Sequence, residues 1–281
     1  MLLEWMFKLT DNNQRKKHKM SRLKVGAFLS SFRLDLKNAL AKAQEIGLAG
    51  IQLSNLPPEV DVEEISEKKA AEIISIFKDH NLVISAVCGD IGGFAVDDER
   101  EAGIRVERTR RIMDNTRRLG VAIVQTHIGC IPEDFNDKKA VIMRKCLEKI
   151  GQYGRKIGVI LATETGPEPA STMKRFLDTI RIPAIKVNYD PANLVMNGFD
   201  CIGGVADLKA YIVHTHAKDG RKEADAQGRK EQPLGQGEVN FPRYIAAMDA
   251  IGYQGFHVIE REVGETPAKD IAEAKRFLDQ F

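Results

Sequence analysis

The chain has 281 residues, 43% of them hydrophobic, with 42 Lys and Arg against 40 Asp and Glu for a net charge of +2. That composition excludes a disordered polymer, which cannot bury enough apolar surface to offset its backbone entropy, and shows no basic excess of the kind a nucleic-acid partner needs. The four cysteines, Cys88, Cys130, Cys146 and Cys201, form no CxxC pair, and no apolar run approaches the roughly 18 residues of a membrane span. A reduced, cytoplasmic setting without membrane or nucleic-acid partners is expected.

At the amino terminus MLLEWMF precedes a basic run, Arg15 to Lys19. A secretory signal has the opposite order and a longer apolar core, and Glu4 interrupts this one. Residues 1–22 are expected to be a flexible leader, the basic run a solvated one, with Met20 an alternative start. From Leu23 onward β-branched runs alternate with amphipathic stretches. The runs are Lys24–Leu29, Gly50–Leu53, Leu82–Val87, Ala122–His127, Val159–Glu164, Ile185–Asp190, Ile212–His216 and Phe256–Glu260, spaced about 33 residues apart.

Between them, residues 35–47, 62–81, 104–120, 140–158, 241–253 and 267–281 repeat apolar positions at three- and four-residue spacing, which predicts helices. Gly47, Gly120, Gly158 and Gly252 follow such stretches as helix-ending signals. Alternating strands and helices imply a parallel sheet. The first strand runs into FLSSFR with no GxGxxG or phosphate loop, so a doubly wound nucleotide fold is disfavoured. Eight regular units without a composition break predict an α/β fold, a single (β/α)8 TIM barrel over residues 23–281.

The chemistry of such a barrel lies at the C-terminal strand ends. Strand 5 ends at Glu164, strand 6 at Asp190, strand 7 at His216 and strand 8 at Glu260. Three carboxylates and one imidazole converging on one mouth repel one another unless a cation or a shared proton intervenes. Oxygen donors with a single His suit one divalent ion, Mn²⁺, Mg²⁺ or Co²⁺, with Zn²⁺ admissible. Beside such an ion Glu164 and Glu260 are the candidate acid–base pair, for epimerisation if they face opposite sides of a carbon, or for aldose–ketose isomerisation if one carries the proton between adjacent carbons.

Alternation along strands orders the neighbours. Lys186 and Asn188 point inward with Asp190; His214 lies a layer below His216; Gln125 shares a face with His127, which lines the pocket. His257 faces the helices as a packed, hydrogen-bonded core histidine.

These residues sit in SAVCGDIGG, THIG, ATETG, NYDPANL, HTHAKD, PLGQGEVNF and GFHVIERE, in that order. Over residues 23–281 the chain resembles the xylose isomerase-like barrel superfamily of sugar (phosphate) isomerases and epimerases, which also holds inosose dehydratases and apurinic endonucleases. The resemblance implies a divalent metal on Glu164, Asp190, His216 and Glu260, with the first and last as acid and base. It also implies a small carbohydrate as partner and barrels that pair as homodimers.

Asn193 stands where ketose 3-epimerases of this group carry a His; it can hydrogen-bond a sugar hydroxyl but cannot titrate. His127 matches one ligand of the trinuclear endonuclease site, but Cys88 or Gly89 lies near the place of another and Asn193 replaces a third, so DNA repair is not expected. Lys218, Arg221 and Lys222 are placed to meet a substrate phosphate or hydroxyl, or to remain solvated. Cys88 forms a small pocket wall, PLGQGEVNF a structural turn, and Arg261 pairs with a helix carboxylate. The expected activity is a metal-dependent sugar or sugar-phosphate isomerase or epimerase working through an enediolate. An inosose-type dehydratase or isomerase, or an inactive sugar-binding barrel, are the alternatives.

Overall fold

Eight short apolar runs form strands because a parallel sheet covered by helices buries both of its faces. The computed structural model describes residues 22–228 and 230–281. Among them the barrel strands are β1 (Lys24–Phe28), β2 (Gly50–Leu53), β3 (Val83–Cys88), β4 (Ile123–Thr126), β5 (Ile160–Glu164), β6 (Ile185–Tyr189), β7 (Ile212–Ala217) and β8 (Phe256–Ile259). Each pairs in parallel with its neighbours in sequence, and β8 closes on β1 with Val25 opposite His257 and Ala27 opposite Ile259. The (β/α)8 barrel expected from the alternation is the observed fold.

The strand ends move by one residue at most. Leu29 opens a 3-10 turn, Leu29–Phe32, and Asp190 leaves the ladder to cap a helix.

Helices α1 (Leu36–Ile46), α2 (Glu67–Asp79), α3 (Glu99–Arg118), α4 (Lys138–Ile157), α5 (Ala170–Ile180), α6 (Pro191–Met196), α7 (Gly203–Leu208), α8 (Phe241–Ala250) and α9 (Pro267–Leu278) surround the barrel. Most begin at side chains that accept a free first-turn amide: Asp35, Ser66, Asp98, Asp137, Asp190 and Asn240. Ser66 explains why α2 starts later than the apolar period suggests; Val62 and Ile65 are core residues of the loop before it. At Gly47 and Gly158 the chain turns out of α1 and α4 with φ of 80° and 75°, a conformation that costs other residues more.

The helices bury one stripe each, for example Ile112 and Met113 of α3 with Met143, Leu147 and Ile150 of α4. Each such side chain removed from water stabilises the fold by about 1.5–3 kcal/mol. Gly154 permits this packing, since a Cβ there would collide with the Val159 carbonyl and the Met113 side chain.

The expected leader lies outside the described residues except for Arg22. That residue donates to both Asp249 oxygens at 2.7 and 2.6 Å and to the Phe281 carbonyl at 3.0 Å, tying the start of the barrel to its end. No helix among the described residues is long and apolar enough to cross a membrane.

Candidate metal centre and active site

Consecutive strands deliver the four charged residues to one point. Glu164 ends β5, Asp190 follows β6, His216 lies in β7 and Glu260 follows β8. One ligand atom from each falls within 4.8 Å of the others. His216 Nδ1 is the centre of the group, 3.5 Å from Glu164 Oε1, 3.6 Å from Asp190 Oδ2 and 3.2 Å from Glu260 Oε2. Asp190 is divided in use. Its Oδ1 caps α6, accepting from the amides of Ala192 and Asn193 at 2.8 and 3.0 Å, while its buried Oδ2 has no hydrogen-bond partner.

Burial raises the cost of charge on every member. For Glu260 the nearby His216 and Lys218 cations outweigh burial and hold the carboxyl at about 2; for Glu164, His216 and His127 hold it well below the usual range. For Asp190 burial wins and the carboxyl is raised. Burial alone would lower His216, but Glu260 and Glu164 push it well above an ordinary imidazole. Without a cation, the His216 proton is what balances the carboxylates.

Other expected residues gather around this group. His127 Nδ1 lies 2.7 Å from Asp90 Oδ2 and its Nε2 lies 3.5 Å from Glu164 Oε1; Asp90 first, then Glu164, raise its pKa to about 11. Asn193 Nδ2 donates to Glu164 Oε1 at 2.8 Å and to the Thr165 carbonyl at 3.2 Å. Lys218 is buried, not solvated, with Nζ 3.1 Å from Glu260 Oε2 and bonded also to Glu262. Cys88 is half-buried and its thiol is pushed up to about 12 by burial, which suits a wall and not a nucleophile. Arg221 is exposed and donates to the Gln236 carbonyl at 2.7 Å; among the described residues it makes no hydrogen bond or ion pair with the four.

One feature departed from expectation. His257 is packed edge-on against Tyr244 and Tyr253, but its buried Nδ1 makes no hydrogen bond, because rings surround it; burial pushes its pKa down to about 4. Lys186 shares the β5–β6 register with Asn188, with Ala162 opposite Lys186 and Glu164 opposite Asn188, but its Nζ donates to the Ala210 carbonyl at 2.8 Å and lies 5.6 Å over the Tyr211 ring. PLGQGEVNF is the structural turn expected: its Gly235, Gly237 and Val239 amides donate to the Asp219 carboxylate at 2.9, 2.9 and 3.1 Å, joined by Gly220 at 2.8 Å. Arg261 pairs with Asp270 of α9 at 2.9 Å as expected, and with Glu231 at 2.5 Å.

With this arrangement in hand, comparison with known proteins places the chain. A family model described as xylose isomerase-like TIM barrel matches residues 40–281. The chain belongs to that family. An inosose dehydratase of Geobacillus thermodenitrificans is 23% identical over 145 residues, 46% of this chain and 49% of that protein. Among solved structures, a xylose isomerase domain protein from Planctomyces limnophilus has a TM-score of 0.75 at 22% identity, covering 94% of this chain and 97% of the other. A 3-keto-D-glucoside 4-epimerase from E. coli has a TM-score of 0.74 at 16% identity, covering 92% and 100%. At those identities the structures establish the shared barrel.

In this family member the floor of the site is amide-rich, which strand patterns only hinted at. Gln52 on β2 and Gln125 on β4 are polar residues in apolar strands, and both are buried. Gln125 Nε2 donates to Glu164 Oε2, Gln52 Nε2 donates to Gln125 Oε1 at 2.9 Å, and Gln52 Oε1 lies 3.0 Å from His216 Nε2. Asn188 Nδ2 donates to Glu164 Oε2 at 3.2 Å, and its Oδ1 accepts from His214 Nδ1 at 2.8 Å. His214 is the deeper lumen residue expected, kept neutral by burial and by His216, with its pKa lowered to about 3. Asp90 and Glu262 come from loops, where the sequence carries no periodic signal of direction.

Proposed function

We propose that this barrel is a divalent-metal-dependent isomerase or epimerase of a small sugar or sugar phosphate, with Glu164 and Glu260 as its acid–base pair. The observation that carries the reading is Asp190 Oδ2, a buried carboxylate oxygen without a hydrogen-bond partner, grouped with one ligand atom from each of Glu164, His216 and Glu260. An unpaired buried acceptor is costly, and a cation among these donors would satisfy it. Three oxygen donors and one imidazole fit Mn²⁺, Mg²⁺ or Co²⁺, with Zn²⁺ also compatible. Bound by Glu164, Asp190, His216 and Glu260, the ion would polarise a substrate carbonyl and its neighbouring hydroxyl.

The chain's own residues then handle the proton. Glu164 is held by donors from Gln125, Asn188 and Asn193, and Glu260 by Lys218, so both are oriented carboxylates able to accept one. Removal of a proton from the carbon beside the carbonyl leaves an enediolate. Return of a proton by the opposite glutamate inverts that carbon, whereas delivery to the adjacent carbon interchanges aldose and ketose. His127 and Asn193, beside Glu164, are the residues proposed to meet substrate hydroxyls, with Lys218 near Glu260, Cys88 as a wall and Arg221 further out.

The similarity to an inosose dehydratase favours a second reading, in which one glutamate removes the proton and the hydroxyl on the next carbon departs as water with a proton from the opposite glutamate. Either reading carries a small carbohydrate as partner, no nucleic acid or membrane, a cytoplasmic setting and pairing of two barrels. Incubating the protein in D₂O with ketoses, their phosphates and inosose tests it. Wild type is expected to put solvent deuterium on carbon, and Glu260→Gln to do so about 10²–10⁴-fold more slowly. Equal incorporation by the variant removes Glu260 as a proton carrier.

A further inference from the structure

We infer that Gln52 and Gln125 are positioning residues that determine which ring nitrogen His216 presents to the metal ligands. The inference rests on the proposed metal site and follows from counting donors and acceptors. An ionised carboxylate only accepts, so the atom of Gln125 that meets Glu164 Oε2 is its Nε2 donor. The Gln125 oxygen then faces the other way, toward Gln52, and accepts from Gln52 Nε2 at 2.9 Å. Gln52 is thereby left with its oxygen toward β7, 3.0 Å from His216 Nε2. His216 must donate there, so Nε2 keeps its proton and Nδ1 is the nitrogen whose lone pair is freed when a bound ion replaces the proton that balances the carboxylates. Nδ1 is the nitrogen that faces Glu164, Asp190 and Glu260.

The polarity cannot be reversed at low cost. Turning both amides over would set the Gln125 oxygen against the Glu164 carboxylate and the Gln52 nitrogen against the His216 N–H, with each group buried and unable to turn to water. Asn188 does not compete. Its Oδ1 is taken by His214, so the atom it shows to the His216 ring, at 3.3 and 3.4 Å, is a donor. The two glutamines thus run as a wire across the lumen from β5 through β4 and β2 to β7, making one ligand's charge set another ligand's tautomer. Partners of this kind orient a metal-binding imidazole without touching the ion.

Isothermal titration of the full chain with Mn²⁺ tests this, using Gln52→Met, Gln125→Met and the double variant. Each single cut is expected to weaken Mn²⁺ binding by about 10–100-fold, and the double to be no weaker than the worse single, because either cut breaks the same wire. ¹⁵N spectra of Zn²⁺-loaded protein are expected to show His216 protonated at Nε2 in wild type and in mixed tautomers in the variants. Folded variants that bind Mn²⁺ within threefold of wild type, or whose effects multiply, overturn the inference while leaving the metal site standing. If one substitution prevents folding, the other cut gives the same reading. A wild type that binds no Mn²⁺ overturns the metal site and the wire together.

Discussion

Lys218 Nζ lies 3.1 Å from Glu260 Oε2, and both side chains are buried. The lysine also bonds Glu262, and its own pKa is raised well above the ordinary value: burial works against the charge, but Glu260 and Asp190 outweigh it. A cation two residues beyond a proposed metal ligand therefore leans on the proposed base, and the pair acts as a unit.

Lys218→Met should expose that dependence. Removing one partner of a buried pair leaves Glu260 uncompensated, and the metal-free protein is expected to lose about 3 kcal/mol in urea unfolding. Loss of the cation disfavours the carboxylate, so the Glu260 pKa rises. The acid limb of the deuterium-exchange profile should move to higher pH; a limb that stays in place contradicts the role given to Lys218.

Asp219 is expected to be a latch for the long excursion between β7 and α8. Four backbone donors converge on its carboxylate, and Asp219→Ala leaves them unpaired, at a cost of about 3 kcal/mol. Trypsin should then cut faster at Arg221, Lys222 or Lys230. Gly237→Ala should act the same way, because its Cβ would collide with the Asp219 carboxylate. Unaltered digestion of both variants would mean that the excursion is held elsewhere.

His257 should contribute to acid sensitivity. Burial depresses its pKa from 6.5 to about 4, so the folded protein keeps it neutral while the unfolded chain takes up a proton. Its contribution is complete above pH 6.5 and is lost as pH falls through about 4, at about 1.4 kcal/mol per pH unit in between. His257→Phe should flatten the stability–pH curve in that window by this slope, since Tyr244 and Tyr253 already offer an aromatic surround. An unchanged slope would assign the acid sensitivity to other groups.

The readable parts of this molecule were those with a repeating physical cause. Doubly buried parallel strands are β-branched runs wherever they occur, and the C-terminal ends of the strands lie at the mouth, so Glu164, Asp190, His216 and Glu260, each at or within one residue of a strand end, could be named from the sequence. What stayed hidden depends on barrel closure or on loops. Gln52 and His216 are 164 positions apart and meet only across the lumen. Lys218 is separated from Glu260 by 42 positions, and nothing local distinguishes its buried state from that of exposed Lys222. The glycine segment was legible as a turn, but the carboxylate that holds it, Asp219, lies 16 to 20 positions earlier and carries no local signal.

Titration of the full chain with Mn²⁺, comparing wild type with Asp190→Ala, tests the centre most directly. The account predicts one saturable Mn²⁺ per wild-type chain and, in the variant, weakening beyond the roughly 100-fold that follows loss of a residue merely supporting a ligand. No saturable binding by wild type, or equal binding by a folded Asp190→Ala protein, would contradict it.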